Sequence, residues 1–183
     1  MKLKKWIKLS EKTVFENEHW SYRLDRFKIE GAGEGEYHYV HTYGSSLVIP
    51  VAPDNKILMI EQYRYLNQKT GWEFPCGAVE KEIPPIENAQ KELREETGYK
   101  AENLIPVGEF TPYTGASDET CSVFIGTGLT YSPLPKDETE EFNLNGFSFD
   151  EIDEMMKSNV IWDGLALSAW QLSREVLSKM LLK

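Results

Sequence analysis

Three glutamates, Glu92, Glu95 and Glu96, fall within five positions of the stretch "KELREETGYK", residues 91–100. At about 100° per residue, their i, i+3, i+4 spacing puts them on one side of a helix. Neighbouring like charges repel, and acidic groups near a helix C-terminus oppose the macrodipole. Local stability therefore argues against the arrangement. Clustered carboxylate oxygens are the preferred ligands of a hard divalent cation such as Mg2+, which would supply the missing compensation. The plainer alternative is a solvated acidic face, with Lys91 and Arg94 neutralising their neighbours.

The helix that carries them is predicted over about 85–97. Pro84 and Pro85 suit its first turn, and Gly98 suits its C-terminal cap. Ile86, Ala89 or Gln90, Leu93 and Thr97 form the opposite side, where packing anchors it. Upstream, "SLVIPVAP" and "KILMIEQYRY" are β-rich runs separated at Asp54-Asn55, which predicts a hairpin inside a sheet. Residues 12–43 read as two or three short strands around the turn "EGAGEGEYH". Further strands are expected near 104–110, 119–127 and 142–149. The acidic segment "FDEIDEMMKSN" reads as a short helix. A longer amphipathic helix follows over about 163–181, with Leu165, Ala169, Leu172, Val176 and Met180 at helical spacing. This order predicts an α/β (α+β) sandwich, a mixed β-sheet flanked by helices.

The 183 residues suit one domain, or one domain with a small appendage, and 40% apolar with 12% aromatic residues fits a folded chain. The formal net charge of −10 disfavours nucleic-acid binding through a broad basic face. An anionic substrate then needs local cations. The two cysteines, Cys76 and Cys121, show neither zinc-ligand spacing nor a disulfide framework, and read as reduced thiols. "MKLKKWIKLS" is basic, with no apolar run after it long enough for a signal peptide or membrane span. A soluble cytoplasmic protein is the expectation.

"CGAVEKEIPPIENAQKELREETGYK", residues 76–100, resembles the Nudix box, G-x5-E-x7-R-E-apolar-x-E-E-x-G-apolar. Gly77 starts the frame, and Lys91, Glu92, Leu93, Arg94, Glu95, Glu96, Thr97, Gly98 and Tyr99 fill its end. Two positions depart from it: Ile83 stands at the first Glu and Lys91 at the Arg. In the family those two residues mainly pair with each other or brace the catalytic glutamates. Lys91 still neutralises Glu95 one turn on, as a point charge without the planar fork of arginine. Glu82, one residue early, is a substitute for the missing acid if the loop shifts slightly.

The resemblance implies hydrolysis of a diphosphate linked to a nucleoside, with Mg2+ (or Mn2+) as cofactor. It makes Glu92, Glu95, Glu96 and the backbone carbonyl of Cys76 the metal ligands, and leaves the Cys76 thiol without a catalytic role. Beside the catalytic Glu95 and Glu96, a proton acceptor is expected in the acidic stretch "PKDETEEFNL", Glu140 first and Glu138 next.

Outside the box, "EQYRY" with "WEFPCGAVE", "GEFTPYTGASDETCSVFIG" and "IWDGLALSAWQLSRE" resemble the ADP-ribose and nucleoside-diphosphate-sugar pyrophosphatase branch. By that likeness Arg64 holds a phosphate, Glu73 is an outer metal ligand or brace, and Glu119 contacts metal or ribose. Residues 1–43 form a small β extension exchanged between the subunits of a homodimer, ahead of a Nudix domain over 44–183. Trp20, with Tyr22 behind it, is the aromatic expected to stack on the base. The Pro that marks ADP-ribose hydrolases is replaced by Thr114, with Pro112 two residues earlier. ADP-ribose is therefore the leading member of a set that includes ADP-glucose and GDP-mannose. The alternative is a Nudix-fold nucleotide-binding module weakened in turnover through Ile83 and Lys91. Neither nucleic acid nor membrane is expected as a partner.

Overall fold

The computed structural model describes residues 3–136 and 141–182. Three strands come first, β1 (Trp6–Glu16), β2 (Ser21–Ile29) and β3 (Gly33–His41), and form an antiparallel sheet in chain order. The sequence predicted strands only from residue 12, but β1 begins at Trp6. Its register slips between Lys8 and Ser10 and again between Thr13 and Phe15. Each bulge interrupts the two-residue alternation by which a strand is read.

The main body continues with β4 (Ser45–Pro50), β5 (Ile57–Arg64), β6 (Lys69–Glu73), β7 (Cys76–Ala78), α1 (Pro85–Thr97), β8 (Tyr99–Lys100) and β9 (Asn103–Phe110). After these come β10 (Cys121–Thr127), β11 (Thr130–Tyr131), β12 (Asn143–Phe147), α2 (Phe149–Lys157) and α3 (Gly164–Leu181). One mixed sheet has the order β7-β4-β10-β9, with β4 and β10 parallel. A second, antiparallel sheet has the order β12-β5-β6, and β8 pairs with β11. The fold is the predicted mixed α/β sandwich.

Every residue of β4 is buried, because the strand is a wall shared by two cores. Leu47 and Ile49 point to the larger core, with Ile57, Met59, Phe74, Ile161 and Trp170. Val48, between them, points the other way and packs with Ala89 and Leu93 of α1. Strand β10 repeats the device, with Val123 and Ile125 on the first side and Phe124 on the second. Alternation between two apolar environments produces a continuous apolar run, as "SLVIP" shows.

The Asp54-Asn55 turn forms, with Asn55 at φ +64° and the Lys56 N–H donating to Asp54 Oδ1 at 3.2 Å. It does not close a hairpin inside one sheet, since β4 and β5 lie in different sheets, linked here by the Val51–Ile57 bridge and the Ala52 N–H donating to the Lys56 carbonyl at 2.8 Å. Ile57 and Met59 face the same core as Leu47 and Ile49, so the turn folds one sheet over the other. Helix α3 also differs in phase from the predicted stripe. Its buried residues are Ala166, Ala169, Trp170, Ser173 and Leu177, while Leu172 and Val176 are exposed. Small residues around Trp170 let the helix approach closely, and the bulkier Leu and Val turn outward. Among the described residues, no helix is long and apolar enough to cross a membrane.

Candidate active site

Helix α1 starts and stops where the sequence indicates. Pro85 opens it, and Gly98, at φ +77°, ends it by donating its N–H to the Arg94 carbonyl at 3.1 Å. Arg94 faces away from the cluster: its Nε donates to the Ser132 carbonyl at 2.8 Å, which fastens the segment leading to Pro135 and Lys136. Ala89 and Leu93 seat the helix on β4, whereas Ile86 is exposed. Glu96 is also buried, at 9% exposure. It lies seven residues from Ala89, and a heptad step moves only about 20° around a helix, so Glu96 extends the packed stripe. The three glutamates thus run from the edge of the core to the surface.

What meets them is the backbone of β7. The Cys76 N–H donates to Glu96 Oε2 at 3.1 Å. At Gly77, a Cβ would lie 2.2 Å from Cδ of Glu92, so only glycine lets that carboxylate lie against the strand. Asn88, one turn before Glu92, is buried and donates from Nδ2 to Ser46 Oγ at 2.9 Å and to the Gly77 carbonyl at 3.3 Å. Strand and helix are thereby clamped at adjacent residues.

Lys91 lies over the cluster, with Nζ 3.3 Å from Glu95, 3.5 Å from Glu92 and 3.8 Å from Glu80. Partial burial pulls its pKa down, but Glu92 and Glu95 outweigh this and the value is raised. Ile83 is partly exposed on the turn before α1. Glu82 has φ +68° and is not among the residues that line the cavity; Glu80 is the loop acid that reaches Lys91. The Cys76 thiol is pushed well above its usual range by its hydrogen bond with Cys121 and by burial, which keeps it neutral.

These groups line a cavity of about 860 Å3. Cys76, Gly77, Lys91, Glu92, Glu95 and Glu96 line it together with Lys81 and Lys136. Glu18 and His19, on the turn between β1 and β2, also line it. Sequence reasoning missed Glu18, His19 and Lys81. Only tertiary structure brings the N-terminal turn here, and Lys136 was the basic residue within the acidic stretch already singled out. Trp20 belongs to the same turn but is set against Phe15, ring centroids 5.6 Å apart, outside the cavity lining. Arg64 and Glu73 meet each other: Nε donates to Oε1 at 2.9 Å, and the adjacent NH2 group closes a bidentate pair with Oε2. Glu73 is almost fully buried, and the pair raises the pKa of Arg64. Glu119 accepts from Ser45 Oγ at 2.7 Å, away from the cavity lining. Glu138 and Glu140 lie outside the described residues.

Residues 41–168, from the end of β3 into α3, match the NUDIX domain. The chain belongs to the NUDIX family. Among relatives of this Nudix chain is the methanol dehydrogenase activator of Bacillus methanolicus, 30% identical over 88% of this chain and 91% of the relative. The ADP-ribose pyrophosphatase of Bacillus subtilis is 27% identical over 89% of this chain and 92% of its own. A solved ADP compounds hydrolase superposes with a TM-score of 0.85 over 98% of both chains at 18% identity, which shows a shared Nudix fold. The protein is accordingly a Nudix hydrolase.

Its donor set fits a divalent cation in kind. The side chains are carboxylates, hard oxygen donors, with a backbone carbonyl at Cys76. Among the described residues, no three His, Cys, Asp or Glu groups already converge as a chelate. The Lys91 ammonium, close to both Glu92 and Glu95, occupies the place of positive charge.

Proposed function

We propose that this Nudix hydrolase cleaves the pyrophosphate bond of a nucleoside diphosphate sugar in a reaction that depends on Mg2+ or Mn2+. ADP-ribose is the leading substrate, giving AMP and ribose 5-phosphate. One observation carries the reading: Glu92, Glu95 and Glu96 share the wall of a cavity that also presents Lys81, Lys91 and Lys136. The 27% identical relative named for ADP-ribose supports the choice of sugar.

Glu92, Glu95, Glu96 and the Cys76 carbonyl are the assigned cation ligands, and the Cys76 N–H holds Glu96 in place. A divalent cation held by these residues would supply charge neutralisation for the diphosphate and activation of water. Lys81 and Lys136 add local positive charge, which an anionic substrate needs in a chain of net charge −10. Proton acceptance is assigned to Glu140, then Glu138, on resemblance alone. Arg64 and Glu73 brace β5 against β6 through their bidentate pair, and phosphate contact by Arg64 falls to the guanidinium N–H groups outside that pair. Glu119 is assigned to the ribose side.

The same reading includes a homodimer. Strand β1 is an edge strand whose Trp6, Ile7, Leu9, Val14 and Phe15 are all exposed, a surface that a second copy covers. Trp20 then becomes the base contact within that assembly. Purified protein incubated with Mg2+ and a panel of ADP-ribose, ADP-glucose and GDP-mannose is expected to release nucleoside monophosphate, fastest from ADP-ribose. No monophosphate from any of them refutes the proposal.

A further inference from the structure

Lys91 is tied to three acidic groups at once, Glu95, Glu92 and Glu80, all within 3.8 Å of Nζ. It projects from the same helix as the two nearest carboxylates and lines the cavity with them. An ammonium is a compact point charge on a flexible four-carbon stem, so it moves without rearranging the backbone. Its side chain is 44% exposed, which leaves it room to swing away. By contrast, Glu96 is held by the Cys76 N–H, while Glu92 lies close against Gly77.

We propose that Lys91 is a tethered counter-ion, holding Glu92 and Glu95 together before the divalent cation binds and giving up its place to it. Cation and ammonium compete for the same carboxylate oxygens, and the displaced ammonium stays in the cavity wall. The inference rests on the assignment of Glu92, Glu95 and Glu96 as ligands. It makes Lys91 a positioning residue: it keeps two repelling carboxylates in place at the cost of weaker cation affinity.

The test uses Mn2+ alone, with free ion counted by electron paramagnetic resonance and no substrate present. Wild type, Lys91→Met, Lys91→Arg, Lys81→Met and Glu95→Gln are compared. One unit charge near 4 Å in largely aqueous surroundings changes affinity by about five- to tenfold, so Lys91→Met should bind Mn2+ tighter by that factor. Lys91→Arg retains the charge and should bind like wild type. Lys81 lines the cavity without an ion pair among the described residues, so Lys81→Met should alter affinity less than about twofold. Melting in EDTA supplies a second readout: Lys91→Met should lose several degrees relative to wild type, and saturating Mn2+ should erase the gap. Unchanged or weaker Mn2+ binding by Lys91→Met overturns the proposal, as does equal tightening by Lys81→Met. If wild type binds no Mn2+, or Glu95→Gln binds it as well as wild type does, the ligand assignment itself has failed.

Discussion

Replacing Gly77 by alanine isolates a single contact of the site. The residue is not in the left-handed region, so alanine meets no backbone penalty there. Its Cβ would lie 2.2 Å from Cδ of Glu92 and 2.4 and 2.5 Å from the two carboxylate oxygens. Ordinary contact begins at 3.4 Å, so the carboxylate must retreat by about 1.2 Å. That group ends a flexible side chain facing a cavity, so the fold adapts at a cost of about 1 kcal/mol, the low end for overpacking. Chemistry is less tolerant, since a misplacement of about 1 Å costs on the order of 100-fold in rate. Gly77→Ala should therefore melt within a few degrees of wild type yet lose about two orders of magnitude in kcat on ADP-ribose with Mg2+. The compensating variant is Glu92→Asp, which withdraws the carboxylate by about one C–C bond, roughly 1.5 Å. Alanine at 77 should then add little to the defect of Glu92→Asp. Near wild-type kcat for Gly77→Ala, or effects that simply multiply in the double variant, would refute the reasoning.

Two further outcomes are expected. Glu96→Gln keeps an oxygen for the Cys76 N–H but removes a charge, so turnover should fall roughly 100-fold or more while the melting temperature holds; wild-type turnover would remove Glu96 from the ligand set. Asp153 joins α2 to α3 by accepting from Arg174 Nε at 2.8 Å and Trp170 Nε1 at 3.3 Å, and the Arg174 and Lys157 hydrogen bonds hold its pKa well below the usual carboxylate range. A depressed carboxylate stabilises the fold above its unfolded pKa of about 3.9 and loses that contribution as pH falls below it. Asp153→Asn should cost about 1–2 kcal/mol at pH 7, a figure kept low because Arg174 is half exposed. Below about pH 4 the gap between variant and wild type should close in thermal melts, and a gap that widens there contradicts the assignment.

Helix α1 was legible to the residue because its ends are written in backbone chemistry, a proline at the start and a glycine after the end. The buried strands were legible because β4 and β10 each carry an unbroken run of large apolar residues, 47–49 and 123–125. What escaped was the partner of each group. Nothing local says that Glu96 continues the stripe of Ala89, or that Arg64 spends its guanidinium on Glu73. Bulges hid β1, and sheet membership hid the true role of the Asp54-Asn55 turn. In the site, the carboxylates and Gly77 were visible as a pattern. Two further lining residues, Glu18 and His19, come from a turn far off in the chain. Glu80, not Glu82, is the loop acid within reach of Lys91, and Glu82 is at a left-handed turn position, which residue spacing does not reveal.

The position of β4 between β7 and β10 has a consequence for the order of assembly. Strand β4 pairs Ser45 with Cys121 and Leu47 with Cys76, so its two neighbours leave the ribosome at very different times. Helix α1 and its acidic face are synthesised with β7, before β10 exists. Closing the long loop to β10 is the slow, non-local step. Until Thr127 has emerged, the nascent chain carries a glutamate-rich helix whose supporting sheet is open along one edge. The glutamate cluster is thus made before the strand that completes the sheet beneath it.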